Sequence, residues 1–227
     1  ELSAKGVKVI NLSLGEPDFA TPKHIIEAAK KAMDDGFTKY SPVAGFLDLR
    51  QAVSDKFLRD NGLNYSANQI VISTGAKHSI MNVILALINP RDEVIIPNPY
   101  WVSYSEMVKL ASGKPVFVPS NVTNNYKSPA SAIEAAITDK TKMFLFSSPC
   151  NPSGSAYSKQ ELKEIADVFE KYPNIFIVSD EIYEHINFVS KHESIGQFKS
   201  VADRVITING VAKAFAMTGW RIGYIGA

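Results

Sequence analysis

Cysteine is nearly missing: the 227-residue chain has one, Cys150. An internal disulfide is therefore impossible, the pattern of a chain kept in a reducing compartment such as the cytoplasm. No apolar run approaches the roughly 20 residues that a membrane-crossing helix needs. The opening stretch ELSAKGVKV has mixed character and does not read as a secretory signal. An excess of one charge is lacking too: 24 Lys and Arg face 23 Asp and Glu, a net +1, with the basic residues spread along the chain. That balance gives no general attraction to nucleic acid or acidic membrane. There are no sequence repeats and no low-complexity segments. No G-x-G-x-x-G follows a strand-like run, which argues against a dinucleotide-dependent dehydrogenase.

What is present is ordinary globular composition, 45% hydrophobic and 21% charged, in a chain long enough for a substantial core. Short apolar runs predict strands over 69–74, 93–97, 115–119, 142–147, 175–179, 204–208 and 220–225. Most are apolar at consecutive positions, as strands buried on both faces are. Amphipathic stretches lie between them. Thr21-Pro22 predicts a helix start with Thr as N-cap, a buried stripe of Ile25, Ala29, Ala32 and Met33, and Gly36 as the stop. Phe46, Leu49, Val53 and Phe57 form a second stripe ending at Asn61-Gly62. Further helices are expected over 76–87, 100–110 and 130–136. Ser158 to Glu161 is a capping box ahead of Leu162, Ile165, Ala166 and Phe169. This alternation predicts an open, mostly parallel sheet with helices on both faces. Residues 1–20 read as an irregular arm.

In such sheets ligands bind beyond the carboxyl ends of the strands, so the residues there carry most weight. Gly75-Ala76-Lys77 opens a helix: either a tight turn or an anion site built from backbone N–H groups. In Ser148-Pro149-Cys150-Asn151-Pro152-Ser153-Gly154 two prolines flank Asn151, as a simple Asx turn or as a rigid mount for one amide. Cys150 reads as incidental. Asp180 follows the run IFIVS, where it either caps the next segment or offers a fixed negative charge in a cleft. Tyr183, one helical turn on, faces the same side or packs in the core. The stretch NGVAKAFAMTGWRIGY (209–224) contains Lys213 and Arg221 and no acid, in surroundings that read as buried. A charged amine buried alone costs several kcal/mol. Such a lysine either snorkels to water or is used as a nucleophilic amine toward carbonyls. Arg221 suits a phosphate.

Together GEPDF (15–19), KY (39–40), NPYW (98–101), SPCNPSG (148–154), SDEIY (179–183) and NGVAKAFAMTGWRIGY resemble class I aminotransferases, across almost the whole chain and in the family's order. The resemblance implies an α/β fold: a three-layer α/β/α large domain of the aspartate-aminotransferase type around a mostly parallel seven-stranded sheet. It implies pyridoxal 5'-phosphate held by Lys213 as a Schiff base, with Asp180 on the protonated ring nitrogen. At an effective dielectric near 20 such a contact is worth roughly 4 kcal/mol. Tyr183 and Asn151 would reach the phenolic oxygen, and Trp101 would stack on the ring. Arg221 and the backbone of Gly75, Ala76 and Lys77 would hold the phosphate. Tyr40 would reach the phosphate of a neighbouring subunit in a homodimer with shared sites. Gly15, Lys77, Trp101 and Asn151 would face the substrate.

Two departures stand out. Gly210, Val211 and Ala212 replace the hydroxyl residues that many members carry ahead of the catalytic lysine. Lys77 stands where many have Ser or Thr; in the subgroup this chain resembles, a lysine there meets the distal carboxylate of an acidic substrate. The expected activity is amino transfer between aspartate or glutamate and a 2-oxo acid. The rivals are a relative acting on prephenate, aromatic amino acids or alanine, and a non-catalytic regulatory module. The chain starts without Met and stops inside an apolar strand, so both ends read as cut. The expected division is 1–35, arm and first helix, and 36–227, cofactor-binding large domain. The C-terminal small domain, with its arginine for the substrate α-carboxylate, is expected to lie outside the chain, which predicts weak or no turnover by this part alone.

Overall fold

The computed structural model describes residues 2–10, 15–188 and 191–227. Its centre is one seven-stranded sheet: β1 (Ile70–Ser73), β2 (Glu93–Pro97), β3 (Lys114–Val118), β4 (Thr141–Ser147), β5 (Phe176–Asp180), β6 (Val205–Gly210) and β7 (Gly223–Gly226). The spatial order is β1-β7-β6-β5-β4-β2-β3. Neighbours from β6 to β3 run parallel, while β7 is antiparallel to both β6 and β1.

The consecutive apolar residues of the central strands have the predicted meaning. Val94 and Ile96 point into one core layer with Met143 and Leu145, while Ile95, Phe144 and Phe146 point into the other. A period-2 backbone sends alternate side chains to opposite faces, so a strand covered on both sides must be apolar throughout. Helices α3 (Ala76–Leu87) and α4 (Ser103–Leu110) cover the first face through Ile80, Ile84, Tyr104 and Val108. Helices α5 (Ala130–Ala135) and α6 (Lys159–Glu170) cover the second through Ile133, Leu162, Ile165 and Phe169. Helix α6 starts at the predicted capping box: the Ser158 hydroxyl accepts from Glu161 N–H, and the Glu161 carboxylate accepts from Ser158 N–H. A third cluster packs Val53 and Phe57 against Tyr65, Ile70 and Tyr224.

Several sequence expectations need correction. Thr21 does not cap α1 (Lys23–Asp34): Pro22 holds the N-cap position, and the Thr21 hydroxyl instead donates to Ala216 O at 2.6 Å. The α1 stripe is not buried; Ile25, Ala29 and Ala32 are half-covered and Met33 is exposed. Amphipathic spacing fixes which face is apolar but not what covers it. Along α2 (Leu47–Lys56) the stripe splits likewise, with Phe46 and Leu49 exposed and Val53 and Phe57 buried. The fourth helix begins at Ser103 rather than residue 100. Strand β7 begins at Gly223 rather than Trp220, because Thr218–Trp220 forms a 3-10 turn. Strand β3 is an edge and only Val118 in it is buried. Of the arm, residues 3–5 make a 3-10 turn, and 1 and 11–14 lie outside the described residues.

Candidate active site

One cavity of about 370 Å³ opens at the carboxyl ends of the parallel strands. Its lining includes Asp180 from the end of β5, Asn151 and Trp101 from the loops after β4 and β2, and Lys213 from the loop after β6. Arg221 precedes its strand, yet reaches the same end because β7 runs the other way. Antiparallel insertion of one strand thus brings a residue before β7 together with residues that follow β4, β5 and β6.

Asp180 is the last residue of β5 and is 4% exposed. Its two oxygens are held separately: Tyr104 donates to Oδ2 at 2.6 Å, and Ile182 N–H donates to Oδ1 at 3.2 Å. No helix follows for it to cap; residues 182–185 form a turn. Both of these donors are neutral, and burial pushes the carboxyl up to about 6. Tyr183 lines the same cavity. Its phenol accepts from Asn151 Nδ2 at 3.4 Å, and burial, then the Asp180 charge, push its proton affinity up. Trp101 meets Tyr104 edge to face at 5.6 Å, and the Lys77 ammonium sits 5.3 Å from the Trp101 ring centre.

One part of the cavity brings together groups that could hold an anion. Gly75 is the N-cap of α3 at φ +86°, and a Cβ there would run into the Arg221 guanidinium. Gly223 is equally required, since a Cβ on it would strike the backbone of Gly75 and Ala76. These two glycines let β7 and the start of α3 close up, so that the guanidinium lies against Gly75 and shares the cavity with Ala76 and Lys77. Their N–H groups head a helix, where backbone donors lack intrahelical partners. Arg221 itself sits in the left-handed region at φ +57° and donates to Thr218 O at 2.8 Å.

The expected burial of Lys213 and Arg221 is not found: Lys213 is half-buried and Arg221 exposed. Of the apolar residues around them, Ala212 and Met217 turn inward while Phe215 is exposed. Lys213 Nζ donates to Gly15 O at 2.6 Å, which draws the GEPDF arm over the cavity. Thr218 to Glu16 (2.5 Å) and Trp220 to Thr21 (3.1 Å) strap the same arm. Tyr40 is fully exposed and does not line this cavity. Sequence reasoning did not find Tyr104, Ser147, Ile182 or Thr218, all of which line it. Tyr104 falls inside the helix expected over 100–110 and belongs to no motif; only its contact with Asp180 marks it.

Comparison with known proteins places the chain in a family and a fold. The family pattern described as "Aminotransferase class I and II" matches residues 7–227. A "Probable aspartate/prephenate aminotransferase" of Rickettsia felis is 50% identical over 226 residues, which cover 99% of this chain and 55% of that protein. The crystal structure of the aspartate aminotransferase from Rhizobium meliloti superposes with a TM-score of 0.97 at 42% identity, over 100% of this chain and 57% of that one. The aspartate aminotransferase from Thermus thermophilus with maleate gives 0.96 at 42% identity, over 100% and 58%. The chain therefore spans a little over half the length of these relatives. It belongs to the class I and II aminotransferase family, and its sheet is the large-domain core of the aspartate-aminotransferase fold.

Proposed function

We propose that this chain is the cofactor-binding part of an aminotransferase that uses pyridoxal 5'-phosphate to move an amino group between aspartate or glutamate and a 2-oxo acid such as 2-oxoglutarate. The observation that carries the reading is that an amine (Lys213), a buried carboxylate (Asp180) and a guanidinium (Arg221) open on one cavity. The cofactor fits the residues present. A carboxylate whose proton affinity is raised by burial, and whose two donors are neutral, calls for a cationic partner, which a protonated pyridine nitrogen provides. The cradle of Gly75, Ala76 and Arg221 calls for an anion, which a phosphate provides.

When bound, the cofactor supplies an aldehyde that can take up an amine and a ring that withdraws electrons from the attached carbon. Asp180 would hold the proton on the ring nitrogen. Arg221 with the Ala76 and Lys77 N–H groups anchors the phosphate. Tyr183 and Asn151, already joined, present a phenol and an amide to the ring oxygen. Trp101 would stack on the ring, and Tyr40 would serve the phosphate of a second subunit in a homodimer. Lys213, whose Nζ now donates to Gly15 O, would supply the amine that holds the aldehyde and the base that moves a proton at the substrate carbon. Gly15 and Lys77 stand on the substrate side. A dicarboxylic substrate is supported by Lys77 at the cavity wall and by maleate in the Thermus thermophilus relative.

The test is reconstitution of the protein with pyridoxal 5'-phosphate. A near-ultraviolet or visible band is expected, and Lys213→Ala should abolish it. Steady-state rates across an amino-acid panel then check the substrate: no rate with aspartate or glutamate rejects the acidic assignment.

A further inference from the structure

The cavity wall contains a phenol with no part in the steps above. Tyr104 of α4 is 1% exposed, and its hydroxyl donates to Asp180 Oδ2 at 2.6 Å, a short contact for a charge-assisted bond. The ring is fixed in the α3–α4 core layer and against Trp101. On the strand side stands Ser147, the last residue of β4, paired in register with Asp180. Its hydroxyl is buried with no hydrogen-bond partner among the described residues, and it stands near enough to the Tyr104 phenol to lower that phenol's proton affinity.

We infer that Tyr104, backed by the Ser147 hydroxyl, is the positioning residue of the ring-binding carboxylate. A carboxylate on one strand end can swivel about its terminal torsion, which is a soft coordinate. Here each oxygen has its own donor, Tyr104 for Oδ2 and Ile182 N–H for Oδ1, so the plane of the group is set before any ligand arrives. The donors are neutral. They favour the ionised carboxylate without cancelling its charge, which stays available to a cation in the cavity. A lysine or arginine at position 104 would hold Asp180 as firmly but would compete with the ring. Ser147 donating to the phenol oxygen would strengthen the Tyr104 bond, because linked hydrogen bonds polarise one another. Tyr104 need not touch the cofactor; it acts through Asp180.

This inference rests on the proposed cofactor, and its test separates the two. Dissociation constants are measured on the full chain for pyridoxal 5'-phosphate and for the analogue with CH in place of the ring nitrogen. Tyr104→Phe should weaken pyridoxal 5'-phosphate by about tenfold, the scale of one hydrogen bond to a charged group, and change the analogue by less than about twofold. In an Asp180→Asn background the same change should have little effect on either ligand, since the route runs through the carboxylate. In the cofactor-free protein, carboxyl-selective NMR should find the Asp180 titration moved to higher pH by Tyr104→Phe and, to a lesser extent, by Ser147→Ala, which leaves the core ring intact. Equal weakening of both ligands would show a packing role and overturn the inference, as would an Asp180 titration that neither variant moves. Failure of the unaltered protein to bind pyridoxal 5'-phosphate would reject the functional reading, while the carboxyl titration would still decide the role of Tyr104.

Discussion

Replacing Asp180 by Asn should stabilise the cofactor-free protein while weakening its hold on the cofactor. Burial raises this carboxyl from 3.8 to about 6. One pH unit corresponds to 1.36 kcal/mol, so about two units mean that keeping the group ionised costs the folded state about 3 kcal/mol at neutral pH. The direction with pH follows. Below about pH 4 the group is protonated in folded and unfolded chains alike, and the cost is absent. Between about pH 4 and pH 6 the folded protein retains a proton that the unfolded chain has released, so stability falls as pH rises; above this window the cost is constant. Asn carries no charge to bury. Its carbonyl can still accept from Ile182 N–H, and its amide can donate to the Tyr104 oxygen. Asp180→Asn should therefore raise the unfolding free energy at pH 7 by about 1–3 kcal/mol, the upper value applying if both contacts survive, and the gain should vanish toward pH 4. Urea titrations of both cofactor-free proteins across this range measure it. A less stable variant at pH 7, or a difference that ignores pH, would refute the reasoning.

Other outcomes can be checked alongside. Gly75→Ala should weaken pyridoxal 5'-phosphate far more than unphosphorylated pyridoxal in an absorbance titration, because the added Cβ displaces the Arg221 guanidinium and the backbone sits at φ +86°. Lys56→Met should destabilise the fold by about 3 kcal/mol in denaturant unfolding, since it leaves buried Glu184 with Asn61 and His185 but without its ammonium partner. Burial works against protonation of His192, but the hydrogen bond and charge of Glu181, 2.8 Å away, outweigh it and raise its proton affinity above the usual 6.5. The stability this pair contributes is present below about pH 6.5 and lost as pH rises through the raised value, so His192→Gln should flatten the stability profile above neutrality.

Much of the architecture was legible because it depends on local pattern. Strand 93–97, helix 76–87 and the Ser158 capping box stand where periodicity and capping chemistry put them. The reading of strand 220–225 and of α1 failed for one shared reason. Apolar residues mark surface that favours covering, but which neighbour covers it depends on chain segments far away in sequence. Trp220 looked like a strand residue because it is large and apolar. It turns aside to donate to Thr21, just ahead of α1, a contact across 199 positions. The candidate site divides the same way. Lys213, Asp180, Asn151, Tyr183 and Arg221 were recognisable from motif and residue type. Tyr104 and Ser147 were not: nothing within an expected helix announces a phenol that donates to a carboxylate 76 residues on, and nothing at a strand end announces a buried hydroxyl beside that phenol.

Residue order was enough to set the class of fold, the two-sided covering of the central strands, and the chemical types available at their carboxyl ends. These follow from backbone periodicity and side-chain chemistry, which act over a few residues. Three-dimensional packing alone settled that β7 inserts antiparallel, bringing Arg221 to the end where Asp180 and Lys213 stand. It alone also left Lys213 half-open to solvent and supplied Asp180 with a neutral, buried donor. Strand direction, exposure and hydrogen-bond partners are properties of how distant segments meet, and no short window of sequence contains them.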